Sequence, residues 1–233
     1  DGGWEAQVSL TVKSIADHPC CCGVSAAIDK TDAARAEWEN VALEPQEERI
    51  LQKKLVFREV EPWSMEHPKL YQVNAVLTLN GEAADDLIDR FGFRVVSTEG
   101  KRILINGRAV RIKGFCRHED HPQFGCALPY SAMAADLELI RHLGANSVRT
   151  SHYPNDEVFL DLCDELGILV WEENHARGLS LENMQNPHFE EQAEQVIREM
   201  IPAHYNHPCI YIWGILNECA SDTEYGRECY TRQ

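Results

Sequence analysis

The chain has 233 residues, a formal net charge of −16 and 44% hydrophobic residues, which is an ordinary composition for a globular protein. So acidic a chain lacks the clustered lysines and arginines that hold a nucleic-acid backbone, which excludes nucleic-acid binding as its function. It has no run of about 18 apolar residues and therefore no candidate membrane span. Its first residues also lack the basic-then-apolar pattern of a signal peptide.

Nine cysteines raise the question of a metal or disulfide site. Their odd number, the adjacent triplet at 20–22 and the lack of paired CxxC motifs argue against a zinc site and against a secreted disulfide framework. Free thiols are typical of a reducing compartment, so we expect a cytoplasmic protein. His118 and His121 are three residues apart, whereas a zincin helix needs its histidines four apart. We therefore expect no metal and no cofactor.

Residues 1–97 show the two-residue alternation of β-strands. Apolar residues alternate at 6–12 and at 71–79, and residues 91–95 repeat the pattern. Short alternating strands separated by turn residues predict a small antiparallel sandwich. The polar stretch 29–48 is compatible with a strand, a loop or a short helix, so no element is assigned there.

From residue 98 onward strands alternate with helices. Asn106-Gly107 joins two short apolar strands, as expected of a type I′ hairpin. The predicted elements after it are strands at 112–115, 146–150, 168–171 and 210–216, and helices at 131–143, 155–166 and 189–204. Pro202 should kink the last helix or end it early. The alternation predicts a parallel sheet, and four such units are half of an eight-stranded barrel, so we expect a fragment of a longer protein.

The ends of these four strands are unusually polar. They lead into RHEDH at 117–121, RTSHY at 149–153, EENH at 172–175, and Asn217-Glu218. Each one alone is typical of a solvated loop. Because barrel active sites lie at the carboxyl ends of the strands, four polar ends on the same side predict an active site, with Glu218 as a catalytic acid or base.

Several of these segments together resemble glycoside hydrolase family 2, which contains the β-galactosidases and β-glucuronidases. They are GFCRHED at 114–120, NSVRTSHYP at 146–154, and the stretch from NHP at 206–208 to Asn217-Glu218. Residues 62–71 (PWSMEHPKLY) are similar to a segment of the family's immunoglobulin-like domain. The resemblance implies an immunoglobulin-like β-sandwich in 1–97, followed by the first half of a (β/α)8 TIM barrel in 98–233.

The resemblance also implies roles for individual residues. The family hydrolyses glycosides with retention, using two carboxylates roughly 5–5.5 Å apart. By resemblance Glu218 is the general acid/base, which protonates the departing oxygen and then deprotonates the attacking water. Asn217 would donate to the sugar 2-hydroxyl, and Arg149 would organise the carboxylates. The other positions that match the substrate pocket are His152, Asp120, His118 and Glu173, the last two being equally compatible with a supporting role.

The family's nucleophile lies on a later strand, and no segment after Glu218 matches it. We therefore expect this chain alone to be inactive, and its longer parent to be a retaining exo-β-glycosidase acting on terminal β-linked sugars. Residues 114–115 with 117–120 and the short stretch 173–179 are more similar to β-glucuronidases, whereas 121–122, 154–156 and 161–164 are more similar to β-galactosidases. A β-glucuronide is the favoured substrate and a β-galactoside the alternative.

Two other classes of function are compatible with this architecture. A non-catalytic carbohydrate-binding or scaffolding protein would be expected to show eroded strand ends, yet all four are intact. A metal-dependent hydrolase would need ligands at metal spacing and would be inhibited by chelation. The expected partner is a small-molecule or oligosaccharide β-glycoside, with no nucleic acid and no membrane, and a homo-oligomer of the parent is left open.

Overall fold

The computed structural model describes residues 3–29 and 35–233, and the chain divides into two compact units. The first comprises Asp1–Pro62 and Leu70–Phe93, and the second comprises Trp63–Lys69 and Arg94–Gln233. Along the chain, the last division between the two units falls between residues 93 and 94. The predicted domain boundary at residue 97 stays a prediction. The short segment at 63–69, which the sequence placed with the sandwich, belongs to the second unit.

The described part of the first unit consists of antiparallel strands. They are β1 (Trp4–Lys13), β2 (Cys20–Ile28), β3 (Arg35–Leu43), β4 (Glu48–Phe57), β5 (Tyr71–Leu79) and β6 (Glu82–Phe91). β1 pairs with β4, and the other four form a sheet in the order β3-β2-β5-β6. Apolar side chains from both sheets pack into two buried clusters, and in one of them the rings of Phe57 and Tyr71 contact that of Phe93 edge to face. The predicted sandwich is confirmed.

Two strand assignments differ from the predictions. The unassigned stretch at 29–48 contains β3, while residues 30–34 within it lie outside the described part of the chain. Residues 92–95 were predicted as strand, which is wrong: the strand is β6, which ends at Phe91. β6 is the last strand of its sheet and most of its side chains are exposed, so its sequence shows no alternating apolar face.

The second unit contains a three-stranded antiparallel sheet and a four-stranded parallel sheet. Their strands are β7 (Val96–Glu99), β8 (Arg102–Ile105), β9 (Arg108–Val110), β10 (Gly114–Arg117), β11 (Ser147–Thr150), β12 (Leu169–Glu173) and β13 (Ile210–Gly214). Asn106 and Gly107 have φ values of 51° and 75°, which confirms the type I′ turn between β8 and β9. The parallel strands pair in chain order, β10-β11-β12-β13, as consecutive strands of a barrel do.

Helices follow each of the parallel strands. They are α1 (Tyr130–His142), α2 (Glu157–Leu166), α3 (Leu181–Met184), α4 (Phe189–His204) and α5 (Glu224–Arg232). The predicted apolar face of α1 is buried except for Leu143, which caps the helix and is exposed. α4 runs through Pro202 and ends at His204, because a proline in the last turn removes only one late hydrogen bond. No helix in the described ranges is long and apolar enough to cross a membrane.

One buried carboxylate fastens the start of β13. Asp164, on α2, is 1% exposed. Its two carboxylate oxygens accept hydrogen bonds from the Cys209 backbone N–H at 2.9 Å and from His207 Nδ1 at 2.7 Å. Its backbone carbonyl accepts a bond from Trp63 Nε1 at 2.9 Å, which explains why the segment 63–69 belongs to this unit.

The pair formed by His207 and Asp164 makes the stability of this unit depend on pH. Burial by itself lowers the pKa of His207, but the hydrogen bond and negative charge of Asp164 outweigh it, so the pKa is raised. The folded chain therefore holds the proton more tightly than the unfolded chain. The pair's stabilisation is complete below the ordinary histidine pKa of about 6.5 and is lost as pH rises through the raised value.

We expect His207→Gln to destabilise the chain more below about pH 6.5 than in alkaline solution, for that reason. The measurement is the free energy of urea unfolding of both proteins at a series of pH values. The difference between them should shrink steadily as pH rises. A difference that stays constant across the pH series would contradict the raised pKa of His207.

Gly167 offers a second test of the packing. It ends α2 with φ 68°, and a Cβ there would lie 2.3 Å from the Met65 carbonyl oxygen. Gly144 has a similar φ of 73° with no atom within 4 Å of such a Cβ. We expect Gly144→Ala to lower the free energy of unfolding by about 1–2 kcal/mol, because of the left-handed backbone alone. Gly167→Ala should lower it clearly more, because its Cβ also meets the Met65 carbonyl. If urea unfolding gave the same loss of stability for both variants, the Met65 backbone would have to shift at no cost in free energy.

Candidate active site

The polar residues that follow the parallel strands form a connected group around Glu173. This residue ends β12 and its side chain is fully buried. One carboxylate oxygen accepts a hydrogen bond from Arg149 Nε at 2.5 Å, and the other lies 2.7 Å from His152 Nδ1. Its backbone N–H donates to Thr150 Oγ1 at 3.1 Å. Because a buried carboxylate is stable only when paired, these bonds fix both partners relative to β12.

Arg149 connects three strand ends. Besides Glu173, its guanidinium donates to Asn217 Oδ1 at 2.9 Å, and it stacks 4.7 Å from the ring centroid of Trp171. Asn217 is also held through its backbone, since its N–H donates to the Ala176 carbonyl at 2.8 Å. The end of β11, the end of β12 and the segment after β13 therefore converge on a single arginine.

Gly214 makes this convergence possible. It is the last residue of β13, and a Cβ there would lie 2.4 Å from Trp171 Nε1 and 2.7 Å from Glu173 Cγ. Any side chain would therefore displace the residue that holds Arg149 and His152. The glycine at the end of an otherwise apolar run is explained by this close approach.

A row of rings extends the group toward β10. The His118 ring lies 5.2 Å from the His152 ring and 6.4 Å from the Tyr153 ring. The Tyr153 hydroxyl accepts a hydrogen bond from the Glu119 backbone N–H at 2.9 Å. The peptide bond between Ser151 and His152 is cis.

Arg117 anchors the loop that carries His118. It is buried, with its guanidinium 4.1 Å from the Phe159 ring centroid and its Nη1 bonded to Glu119 and to Asn155 Oδ1. Burial raises the pKa of Glu119, against the opposing effect of Arg117. Asn155, which begins the predicted helix 155–166, bonds this arginine and is not part of α2, whose N-terminus is capped by Asp156.

The structure therefore brings together five of the seven predicted site residues: Arg149, His152, Glu173, Asn217 and His118. Glu218 and Asp120 are exposed, and neither makes a side-chain hydrogen bond or ion pair within the described chain. Glu218 follows Asn217 directly with a φ of 51°, a left-handed backbone that is uncommon for glutamate. Such a conformation is often found where a side chain is presented for function.

Two residues beside the group were not assigned a role from the sequence, Tyr153 and Arg177. Tyr153 lies within the motif NSVRTSHYP, but nothing in that pattern shows that it touches the first loop. The Arg177 guanidinium lies 5.1 Å from the centroid of the Tyr153 ring. Only the pairing of Arg177 with Asn217 across the loops brings it there.

One cluster has the composition of a metal site. Ligand atoms of Asp161, Asp164 and His207 lie within 4.8 Å of one another. Both carboxylate oxygens of Asp164 already accept hydrogen bonds from within the chain, so the cluster is explained by the anchoring of β13.

Comparison with known proteins agrees with this arrangement. The family "Glycosyl hydrolases family 2, TIM barrel domain" matches residues 96–232, and "Glycosyl hydrolases family 2" matches residues 1–94. The chain belongs to glycosyl hydrolase family 2. Its first unit is thus the family's immunoglobulin-like sandwich and its second is part of the family's TIM barrel, as the resemblance implied.

Relatives of this family 2 chain include both kinds of glycosidase. It is 35% identical over 170 residues to a β-galactosidase of Thermoanaerobacterium thermosulfurigenes, covering 72% of this chain and 23% of the relative. It is 32% identical over 196 residues to a β-glucuronidase of Bacteroides fragilis, covering 82% and 28% respectively. The crystal structure of a β-galacturonidase of Eisenbergiella tayi bound to galacturonate has a TM-score of 0.93 at 61% identity, covering 98% of this chain and 41% of that one. The chain thus spans less than half the length of each.

Adjacent glutamates on β12 allow a matched test of the group around Glu173. In the longer parent protein we expect Glu173→Gln to reduce turnover by roughly 10²-fold, because Arg149 and His152 lose the charge that positions them. Glu172→Gln is the control: Glu172 is equally buried but bonds His204, on α4, at 2.8 Å. It should lower stability and leave turnover near that of the wild type. Equal effects of both changes on turnover would contradict the assignment of a positioning role to Glu173 and of a purely structural role to Glu172.

Proposed function

We propose that this chain is part of a retaining β-glycosidase in which Glu218 is the general acid/base. The observation that supports this most is the arrangement of Arg149 and His152 around the buried Glu173, which converges on Asn217, the residue before Glu218. The arrangement lies at the carboxyl ends of parallel strands, where barrel enzymes carry their chemistry. Glu218 protonates the glycosidic oxygen as the bond to the aglycone breaks, and then removes a proton from the water that releases the sugar.

Asn217 is oriented for the role that the family resemblance implies. Arg149 donates to its Oδ1, which fixes which end of the amide is the acceptor and leaves the amide N–H groups free to donate. A sugar 2-hydroxyl can accept such a bond, and hydrogen bonds to this hydroxyl strengthen in the transition state of glycoside hydrolysis. The guanidinium thus acts on the substrate through the amide.

Glu173 is proposed as a positioning residue and not as the nucleophile. Both its oxygens are engaged, one by Arg149 and one by His152, and its side chain has no exposed surface. A carboxylate held in this way cannot approach an anomeric carbon without losing its partners. The nucleophile is therefore proposed to lie on a strand of the parent protein outside these 233 residues, and this chain alone should hydrolyse nothing.

The proposed substrate class is a β-uronide, a sugar whose C6 is a carboxylate. Support comes from the 61% identity with the Eisenbergiella tayi β-galacturonidase and from relatives named β-glucuronidase. A β-galactoside is the second candidate, since other relatives at 35–36% identity are named β-galactosidase. Assays of the parent protein on para-nitrophenyl galacturonide, glucuronide and galactoside would separate these three, and activity on none of them would reject the proposed function.

A reducing compartment is proposed as well. All nine cysteines are free in the structure, including those buried in the second unit. This arrangement supports the cytoplasmic location expected from the sequence.

Replacing the acid/base separates its role from a structural one. In the parent protein we expect Glu218→Gln to lower turnover of substrates with poor leaving groups by about 10²–10⁴-fold, because glutamine keeps the shape but donates no proton. Aryl glycosides with good leaving groups should lose less in the first step, since their departure needs no proton. Glu138→Gln, an exposed change on α1, is the control and should have no effect. Near wild-type activity of Glu218→Gln on both kinds of substrate would remove Glu218 from the mechanism.

A further inference from the structure

Arg177 is held beside the candidate active site by its backbone. It lies in the loop after β12 and forms an isolated parallel bridge with Asn217. On either side of it, the Ala176 carbonyl accepts the Asn217 N–H and the Gly178 N–H donates to the Asn217 carbonyl, both at 2.8 Å. The position of Arg177 is therefore tied to the residue that precedes the proposed acid/base.

The side chain of Arg177 is placed by an aromatic ring. Its guanidinium lies 5.1 Å from the Tyr153 ring centroid, within the range of a cation–π contact. The Tyr153 ring contacts that of His118, which in turn contacts His152. The row of rings therefore runs from His152, which bonds Glu173, to Tyr153, which contacts Arg177. The side chain of Arg177 is exposed.

The charge of Arg177 is unbalanced. Arg149 is neutralised by Glu173, and Arg117 is paired with Glu119 and Asp136. Within residues 3–29 and 35–233, Arg177 has no carboxylate partner and no hydrogen bond from its guanidinium. An exposed arginine without an acidic partner, in a chain of net charge −16, leaves a planar set of donors that suits a carboxylate.

We propose that Arg177 binds the carboxylate of a uronic-acid substrate and selects uronides over neutral hexosides; this inference rests on the proposed β-glycosidase function. A neutral hexoside carries a hydroxymethyl group in place of the carboxylate and offers the guanidinium only one weak partner. The backbone pairing with Asn217 keeps the carboxylate-binding donors at a set spacing from the residue that contacts the reacting end of the sugar. Tyr153 limits the orientations of the guanidinium before substrate arrives, which lowers the entropy lost on binding.

The test uses the parent protein and compares Arg177→Gln and Arg177→Lys with the wild type. The substrates are para-nitrophenyl β-galacturonide, β-glucuronide and β-galactoside. Arg198→Gln, which removes the same charge from an exposed site on α4, is the control and should behave as wild type. We expect Arg177→Gln to lower kcat/KM for the uronides by roughly 10- to 100-fold, mainly through KM, and to leave or improve the galactoside value. Lysine should restore part of the loss, since it keeps the charge but not the planar fork.

The outcomes distinguish this inference from the proposed function. A wild-type protein that hydrolyses none of the substrates would reject the β-glycosidase itself. A wild type that prefers the galactoside, or an Arg177→Gln variant that loses activity equally on all substrates or on none, would overturn the carboxylate-binding role while the β-glycosidase stands. A selective loss on the uronides with partial rescue by lysine would support it.

Discussion

The carboxylate of Glu173 is buried at the end of a parallel strand, and the geometry of the candidate site depends on how it is satisfied. Moving an ionised carboxylate out of water is costly unless charged and hydrogen-bonded partners replace the lost solvent. Arg149 and His152 supply that replacement, and in doing so each loses its own freedom to move. The same arginine then orients Asn217. One requirement for charge compensation thus positions residues from three different strand ends.

Strand alternation explains why two adjacent glutamates have different environments. Successive side chains of β12 point to opposite faces, so Glu173 reaches the strand-end group while Glu172 bonds His204 on α4. At the amino end of the neighbouring strand, β13, Asp164 and Arg94 form hydrogen bonds with the segment that leads into the strand. Arg94 donates to the carbonyls of Pro208 and Ile210, both at 2.6 Å, and burial lowers its pKa. β13 is therefore anchored where it begins and shaped by Gly214 where it ends.

An acidic chain needs a positive charge close to the bound sugar if it is to bind the proposed anionic substrates. A chain of net charge −16 repels an anionic sugar at distances where its whole field is felt. At physiological ionic strength that repulsion is screened beyond about 8 Å, so recognition depends on the charges nearest the substrate. Arg177 is proposed to be such a charge, and the row of rings from His152 to Tyr153 connects it to the residues proposed for the chemistry. A single local cation can therefore decide selectivity in an acidic protein.

The sequence by itself determined the two kinds of sheet, the hairpin at Asn106-Gly107 and the polar strand ends, because residue periodicity and turn chemistry are local. It also indicated Glu218 and its neighbours through the family motifs. Only the tertiary structure decided that Arg149 meets residues 24 and 68 positions away, that Asn155 serves Arg117 instead of capping α2, and that Arg177 lies over Tyr153. It also showed that β6 is a strand without an apolar face. These features depend on which strands pair and in what register, and contacts between distant segments leave no periodic trace in the residues that make them.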